Sequence, residues 1–228
     1  MPLRGSAFVI MWHDIAPDAD AAYNRWHTQE HMPERIALPG FLRSRRGLNR
    51  ALDRQIYFTL YECDDLGSTV SPEYQRSLNF PTEWTQQVAP HFRNFKRMSC
   101  ETLFTKSRGA GGAIATFRAD LPGNIDEAQA LSSLTSAVEE IVSIAGVTGV
   151  HIGVPRPNFT NGETTEVQIR PAMTEPDFGV VIVVEGIGLA ELTAKQPAIE
   201  QILARADLSG VNAQSYDMAY MLDIETTA

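Results

Sequence analysis

Gly109-Ala110-Gly111-Gly112 decides how this sequence is read, because the same order of elements stands on either side of it. Three glycines in four residues read as a hinge-like linker. On its N-terminal side, Ala7 to Trp12 is a short unbroken apolar run, a buried strand by length and composition. From Ala19 to Arg35, Ala22, Tyr23, Trp26 and Met32 recur at roughly helical spacing. Pro33 is expected to close that helix, because proline has no N–H and disfavours helix in the residue before it. Phe41 to Leu48 and Gln55 to Glu62 read as strands. The second of these alternates Ile56, Phe58 and Leu60 with Tyr57, Thr59 and Tyr61, which predicts two faces of different polarity. Ser71-Pro72-Glu73 opens a short helix, Pro81-Thr82-Glu83-Trp84 starts another, and Phe92 to Phe104 is a long closing strand.

Beyond the linker, Ala113 to Phe117 is a strand, and Ile125 to Ala145 is a helix with Ala128, Leu131, Leu134, Ala137, Val138, Ile141 and Val142 at helical spacing. Gly149 to Val154 and Gly179 to Glu185 are strands, Pro197 to Ala206 a helix, and Val211 to Ile224 a last strand. Details repeat as well. Gly40-Phe41-Leu42-Arg43 answers Gly149-Val150-His151-Ile152, both third strands end in a glutamate (Glu62, Glu185), and Pro81 and Pro197 suggest a broken second helix in each half. The predicted class is α+β, with two tandem ferredoxin-like βαββαβ units at 1–108 and 109–228. Each sheet needs a cover for its helix-free face, and the other half's sheet is the natural one, giving a pseudo-dimer of the α/β-barrel kind. The long polar stretch from Arg156 to Phe178 is read as either a lid or a surface excursion.

The 228 residues carry 43% hydrophobic and 21% charged side chains, ordinary for a globular protein, and a net charge of -9. That acidity argues against nucleic acid or an anionic membrane as partner. No apolar run is long enough to span a bilayer and no export signal is seen, so a cytoplasmic protein is expected. Cys63 and Cys100 lack metal or redox spacing and read as inert buried thiols. There is no GxGxxG, Walker, GxSxG or CxxC pattern, which disfavours nucleotide cofactors, phosphoryl transfer and triad hydrolysis.

Chemistry is concentrated in Trp26-His27-Thr28-Gln29-Glu30-His31-Met32-Pro33-Glu34-Arg35 and in Pro39-Gly40-Phe41-Leu42-Arg43-Ser44-Arg45-Arg46. His31 suits general acid–base work, with Glu34, Glu30 or His13 tuning it, or else simply ends the helix. His27 lies one turn away on the same side. Strand alternation puts His13 with Val9 and Met11. If Phe8 and Ile10 pack on the helices, His13 points into the space between the sheets. Arg43 and Arg45, at alternate strand positions, are candidates to hold a substrate anion, against the plainer role of a solvated edge. Tyr57 and Tyr61 share a face and would line a pocket or fill core, and Trp26 is read chiefly as core. His27-Thr28-Gln29-Glu30-His31 also matches the H-x-x-E-H zinc pattern, but no third ligand stands out and Pro33 follows too soon. A different metal held by His27, His31 and Glu30 or Glu34 is the variant of that reading.

Trp26-His27-x-x-Glu30-His31-x-Pro33-Glu34-Arg35, with Pro39-Gly40-Phe41 and Arg43-x-Arg45-Arg46, resembles the EthD-like members of the dimeric α/β-barrel superfamily. The motif covers mainly residues 8–95, and the second half matches only in element order. The resemblance implies a catabolic enzyme, expected to be a cofactor-independent lyase or isomerase for a small aromatic, lactone or carbonyl compound, working as a homodimer. His31 is the counterpart of the family's helix-end acid/base. The superfamily also includes metal- or haem-dependent oxygenases, the first alternative, and a non-catalytic binding or stress-response module is the second. The second half has no such histidine on its first helix, so one pocket per chain is expected.

Overall fold

The computed structural model describes residues 2–123, 127–159, 162–171 and 178–224. Both halves of the element order form the predicted βαββαβ sequence. In the first, β1 (Ala7–Ile15) pairs antiparallel with β3 (Tyr57–Cys63) and with β4 (Phe92–Ser107), while β2 (Phe41–Leu48) pairs with β3, giving the order β2-β3-β1-β4. The second half repeats it with β5 (Ala113–Asp120), β6 (Val147–Pro155), β7 (Val180–Gly186) and β8 (Ser209–Asp223), ordered β8-β5-β7-β6. This is the ferredoxin-like strand order twice over.

Contacts gather the described residues into two compact units. One holds the described residues of 4–101, 156–176 and 219–228, the other those of 1–3, 102–155 and 177–218. In the first unit, α1 (Asp20–Trp26), α2 (Met32–Ile36), α3 (Pro72–Asn79) and α4 (Glu83–Val88) belong to the first βαββαβ half. Val9 and Ala7 of β1 and Tyr61 and Cys63 of β3 pack with Met32, Ile36, Tyr74 and Leu78. Tyr57, Phe92 and Phe95 pack with Ile15, Tyr23, Trp26 and Val88. Thr82 and Ser71 cap α4 and α3 by accepting backbone N–H bonds from Thr85 and Tyr74, at the two helix starts read from Pro81-Thr82 and Ser71-Pro72. Both faces of β3 are buried, so the expected difference in polarity is not a difference in exposure.

In the second unit α5 (Glu127–Ser143) places Leu134, Ala137, Val138, Ile141 and Val142 in the core. Ala128 is exposed, and Ile125 lies outside the described residues. α7 (Leu189–Arg205) runs unbroken through Pro197, contrary to the expected restart. Pro197 and Thr193, whose carbonyl loses its donor, are both exposed, so water can serve that carbonyl. The glycine linker is not slack. A Cβ on Gly111 would stand 2.3 Å from the Gly186 carbonyl oxygen, and the Gly111 N–H donates to Glu185 at 3.1 Å.

The glutamates ending the two third strands are structural counterparts. Glu62 is fully buried and accepts from Arg43 (2.8 and 2.6 Å), from Arg45 (2.8 Å) and from the Arg4 N–H (2.7 Å). Glu185 shares a 2.9 Å hydrogen bond with His151, whose other ring nitrogen meets Thr105 at 2.8 Å. Each carboxylate therefore ties the chain just before a first strand to the end of a third. Glu62→Gln should cost about 3–5 kcal/mol in urea unfolding, since it strands two guanidiniums that cannot shed charge. Glu185→Gln should cost less, because its partner is a single imidazole, which can still donate to a neutral amide oxygen.

Candidate active site

Pro33 does not end the first helix. The chain passes from α1 into a single wide π-turn, His27–His31, and on through α2 to Ile36, with the Met32 N–H donating to the His27 carbonyl five residues back. Pro33 stands at the start of α2, where its missing donor and rigid ring are tolerated. The turn after α2 needs Gly40, whose φ is +82° and whose Cβ would meet Ser68 Oγ at 2.2 Å.

The π-turn stacks the side chains along its face. The His31 ring lies 4.2 Å from the Trp26 ring and 5.7 Å from His27, and His27 stacks on Tyr23 at 5.1 Å. His13 joins from β1, sharing a 2.9 Å hydrogen bond with the Tyr23 hydroxyl and stacking on Tyr57. This corrects the expected orientation: the Val9–Met11 face of β1 meets the helices, so His13 lies beneath them rather than on the helix-free face. Burial holds the His13, His27 and His31 imidazoles well below their ordinary value near 6.5, and the guanidiniums of Arg35, Arg46 and Arg170 push in the same direction. His27 Nδ1 faces an Arg46 donor at 3.4 Å, which suits a neutral ring. The Nδ1 atoms of His13 and His31 are buried without a hydrogen-bond partner, and His31 Nδ1 stands 3.9 Å from Glu34 Oε2. Glu34 is partly exposed, and burial raises its pKa in spite of Arg35.

A cavity opens beside His31, lined among others by Met11, Arg35, Tyr61, Tyr74, Leu78 and Arg97 of the first half. The remaining wall is α6 (Thr165–Ile169), in the stretch read as lid or excursion. Glu166, 1% exposed, binds Arg35 at 2.5 Å and also Arg170 at the end of the same turn. Glu166, Val167 and Arg170 of that stretch therefore line the cavity. Tyr61 has a buried hydroxyl with no hydrogen-bond partner, and desolvation pushes its pKa upward.

Several expected site residues lie elsewhere. The β2–β3 register shifts between Phe41 and Arg43, and a shift of one residue exchanges the faces of a strand. Arg43 and Arg45 thus meet Glu62 instead of lining the cavity, while Arg46 reaches His27. Tyr57 is separated from Tyr61 in role: its hydroxyl donates to Asp20 at 2.5 Å and accepts from Asn24 at 2.7 Å. Glu30 accepts from Thr82 at 2.6 Å and anchors the start of α4. Trp26 donates to Thr85 at 3.2 Å, with its ring under His31. Arg35, Tyr23, Glu166 and Arg170 were not singled out from sequence. Two signals were present: Arg35 stands inside the motif, and Glu166 and Arg170 are spaced i,i+4.

No protein-family model matches the sequence, and no curated protein matches it. Solved structures do match in fold. An anthrone oxidase-like protein superposes with a TM-score of 0.64 at 9% identity, covering 98% of this chain and 95% of its own. A candidate monooxygenase from Fusobacterium nucleatum gives 0.61 at 10%, covering 97% and 96%. A mutant chlorite dismutase from Candidatus Nitrospira defluvii, in complex with cyanide, gives 0.59 at 8%, covering 95% and 92%. The chain has the ferredoxin-like α+β fold, and its structural neighbours are of the dimeric α/β-barrel type. No helix among the described residues is long and apolar enough to cross a membrane. With Glu166 in place the space beside His31 is about 20 Å³, room for about one water, and the His31 ring is stacked on Trp26. Among the described residues, no group of three or more His, Cys, Asp or Glu side chains is placed to hold a metal ion.

The depressed histidines make stability pH-dependent with a definite sign. Below about pH 6.5 the unfolded chain binds protons that the folded chain refuses, so stability is complete above that value and falls as pH drops. Each histidine should contribute up to about 1.4 kcal/mol per pH unit in that window. Urea unfolding between about pH 7 and 5 measures the slope, and His27→Gln should flatten it by one proton.

Proposed function

We propose that this chain is an enzyme that removes a proton from an acidic carbon of a small carbonyl or hydroxyaromatic compound, with neutral His31 as base. The observation that carries this reading is the His31 imidazole, buried, held uncharged and bordering a cavity of guanidiniums and an unpartnered Tyr61 hydroxyl. A base of lowered pKa is a weak one, so the carbon must be acidic in its own right, as a position between carbonyl and aryl groups is. In the step, the C–H bond breaks, the proton goes to the imidazole, and the electron pair moves onto the substrate oxygen beside Tyr61 and Arg35. Glu34, 3.9 Å from His31 Nδ1 and partly open to solvent, would relay the proton outward.

The carbanion has two fates. Reprotonation or loss of a leaving group gives an isomerase or lyase. Reaction with dioxygen gives a cofactor-free oxygenase, in which a CH₂ and O₂ become a ketone and water. The second is favoured, because neighbours that share the fold over nearly the whole chain are named as an oxidase-like protein and a candidate monooxygenase. The EthD-like motif agrees with either outcome.

A panel of aryl ketones and cyclic diketones, each with and without a carboxylate substituent, followed by oxygen uptake and by solvent deuterium exchange, tests the reading. His31→Ala should lower kcat/KM by about 10²–10⁴-fold with the fold retained by circular dichroism. Since the base works only when neutral and its pKa is held well below 6.5, kcat/KM should stay flat from neutral pH through 6.5 and fall only in clearly more acid solution. Activity that survives His31→Ala would end the proposal.

A further inference from the structure

We infer that the cavity beside His31 is an oxyanion site for a small aromatic carboxylate, and that the carboxylate of Glu166 holds that position from within the chain when no ligand is present. The inference rests on the acid–base reading of the cavity and names its substrate class.

The charge of the lining comes first. The lining carries three guanidiniums, Arg35, Arg97 and Arg170, and one carboxylate, Glu166; Arg35 also pairs with the partly exposed Glu34 at 3.4 Å, and His31 is held neutral. The guanidiniums do not owe their positions to Glu166 alone. Arg35 donates to Ser77 Oγ at 2.8 Å and lies over the Tyr74 ring, while Arg170 sits over Phe95 at 4.7 Å and Phe92 at 5.0 Å. Two further buried donors, the Tyr61 hydroxyl and Arg170 Nε, have no hydrogen-bond partner.

Space supplies the second argument. With Glu166 in place the cavity admits about one water, so no substrate enters unless that side chain leaves. Its removal would strand buried cations, which is costly unless the incoming group brings a carboxylate of its own. A carboxylate-for-carboxylate exchange between Arg35 and Arg170 is the trade that keeps the charges balanced. Met11, Tyr74 and Leu78 form the apolar part of the wall and suit an aromatic body.

Isothermal titration calorimetry with benzoate, using neutral benzamide as control, tests this on the whole chain. Wild-type protein should bind benzoate weakly, and Glu166→Gln, which removes the competing charge, at least about tenfold more tightly, with benzamide bound by neither. Arg35→Gln added to that variant should abolish the gain. If Glu166→Gln proves unfolded in plain buffer, benzoate but not benzamide should restore its near-ultraviolet circular dichroism. Benzoate affinity equal in wild type and Glu166→Gln, equal binding of benzamide, or no such restoration would overturn the inference. His31-dependent turnover without benzoate binding would remove this inference alone. Benzoate binding without any His31-dependent turnover would remove the acid–base reading alone.

Discussion

A proline has no backbone donor, and the helix that carries the histidines must absorb that defect at Pro33. It does so by widening one turn over His27–His31 and resuming as α2. The widening sets the stacking of Trp26, His27 and His31, and it keeps Arg35 on the same rod, two residues beyond the proline and at the cavity wall. Single π-turns inside helices are frequent at functional sites because they re-aim side chains without breaking the rod.

Buried charge is the second constraint, met in two ways by the same residue types. On β2 and β3, Arg43 and Arg45 close on Glu62, 0% exposed, in a strongly bonded cluster at the end of a strand pair. At the cavity, Arg35 and Arg170 close on Glu166, which comes from a five-residue helix far along the chain. The first cluster is reached through residues of adjacent strands and has no reason to open. The second borders free space and unpartnered donors, which is the setting in which a bound carboxylate can be exchanged.

The imidazoles show how burial and charge act together. Desolvation alone disfavours the protonated ring, and three guanidiniums nearby add to it, so these histidines are bases kept empty at neutral pH. The same field that disfavours their protonated forms would favour an anion in the cavity, which is the electrostatic basis of the proposed function.

The sequence by itself determined the repeated βαββαβ order, the starts of α3 and α4, and the concentration of functional groups between Trp26 and Arg46. These follow from local periods and cap chemistry, which a chain carries wherever it folds. Tertiary structure decided the rest. The β2 register shift turned Arg43 and Arg45 to Glu62 and left Arg46 for His27, because a one-residue slip exchanges every side chain's face and leaves no trace in composition. The face of β1 that the helices cover was likewise open until packing chose it, and with it the place of His13. Glu166 reaches Arg35 across 131 residues of chain. No spacing rule connects positions so far apart, and only the packing of α6 against the first half brings that carboxylate to the histidine.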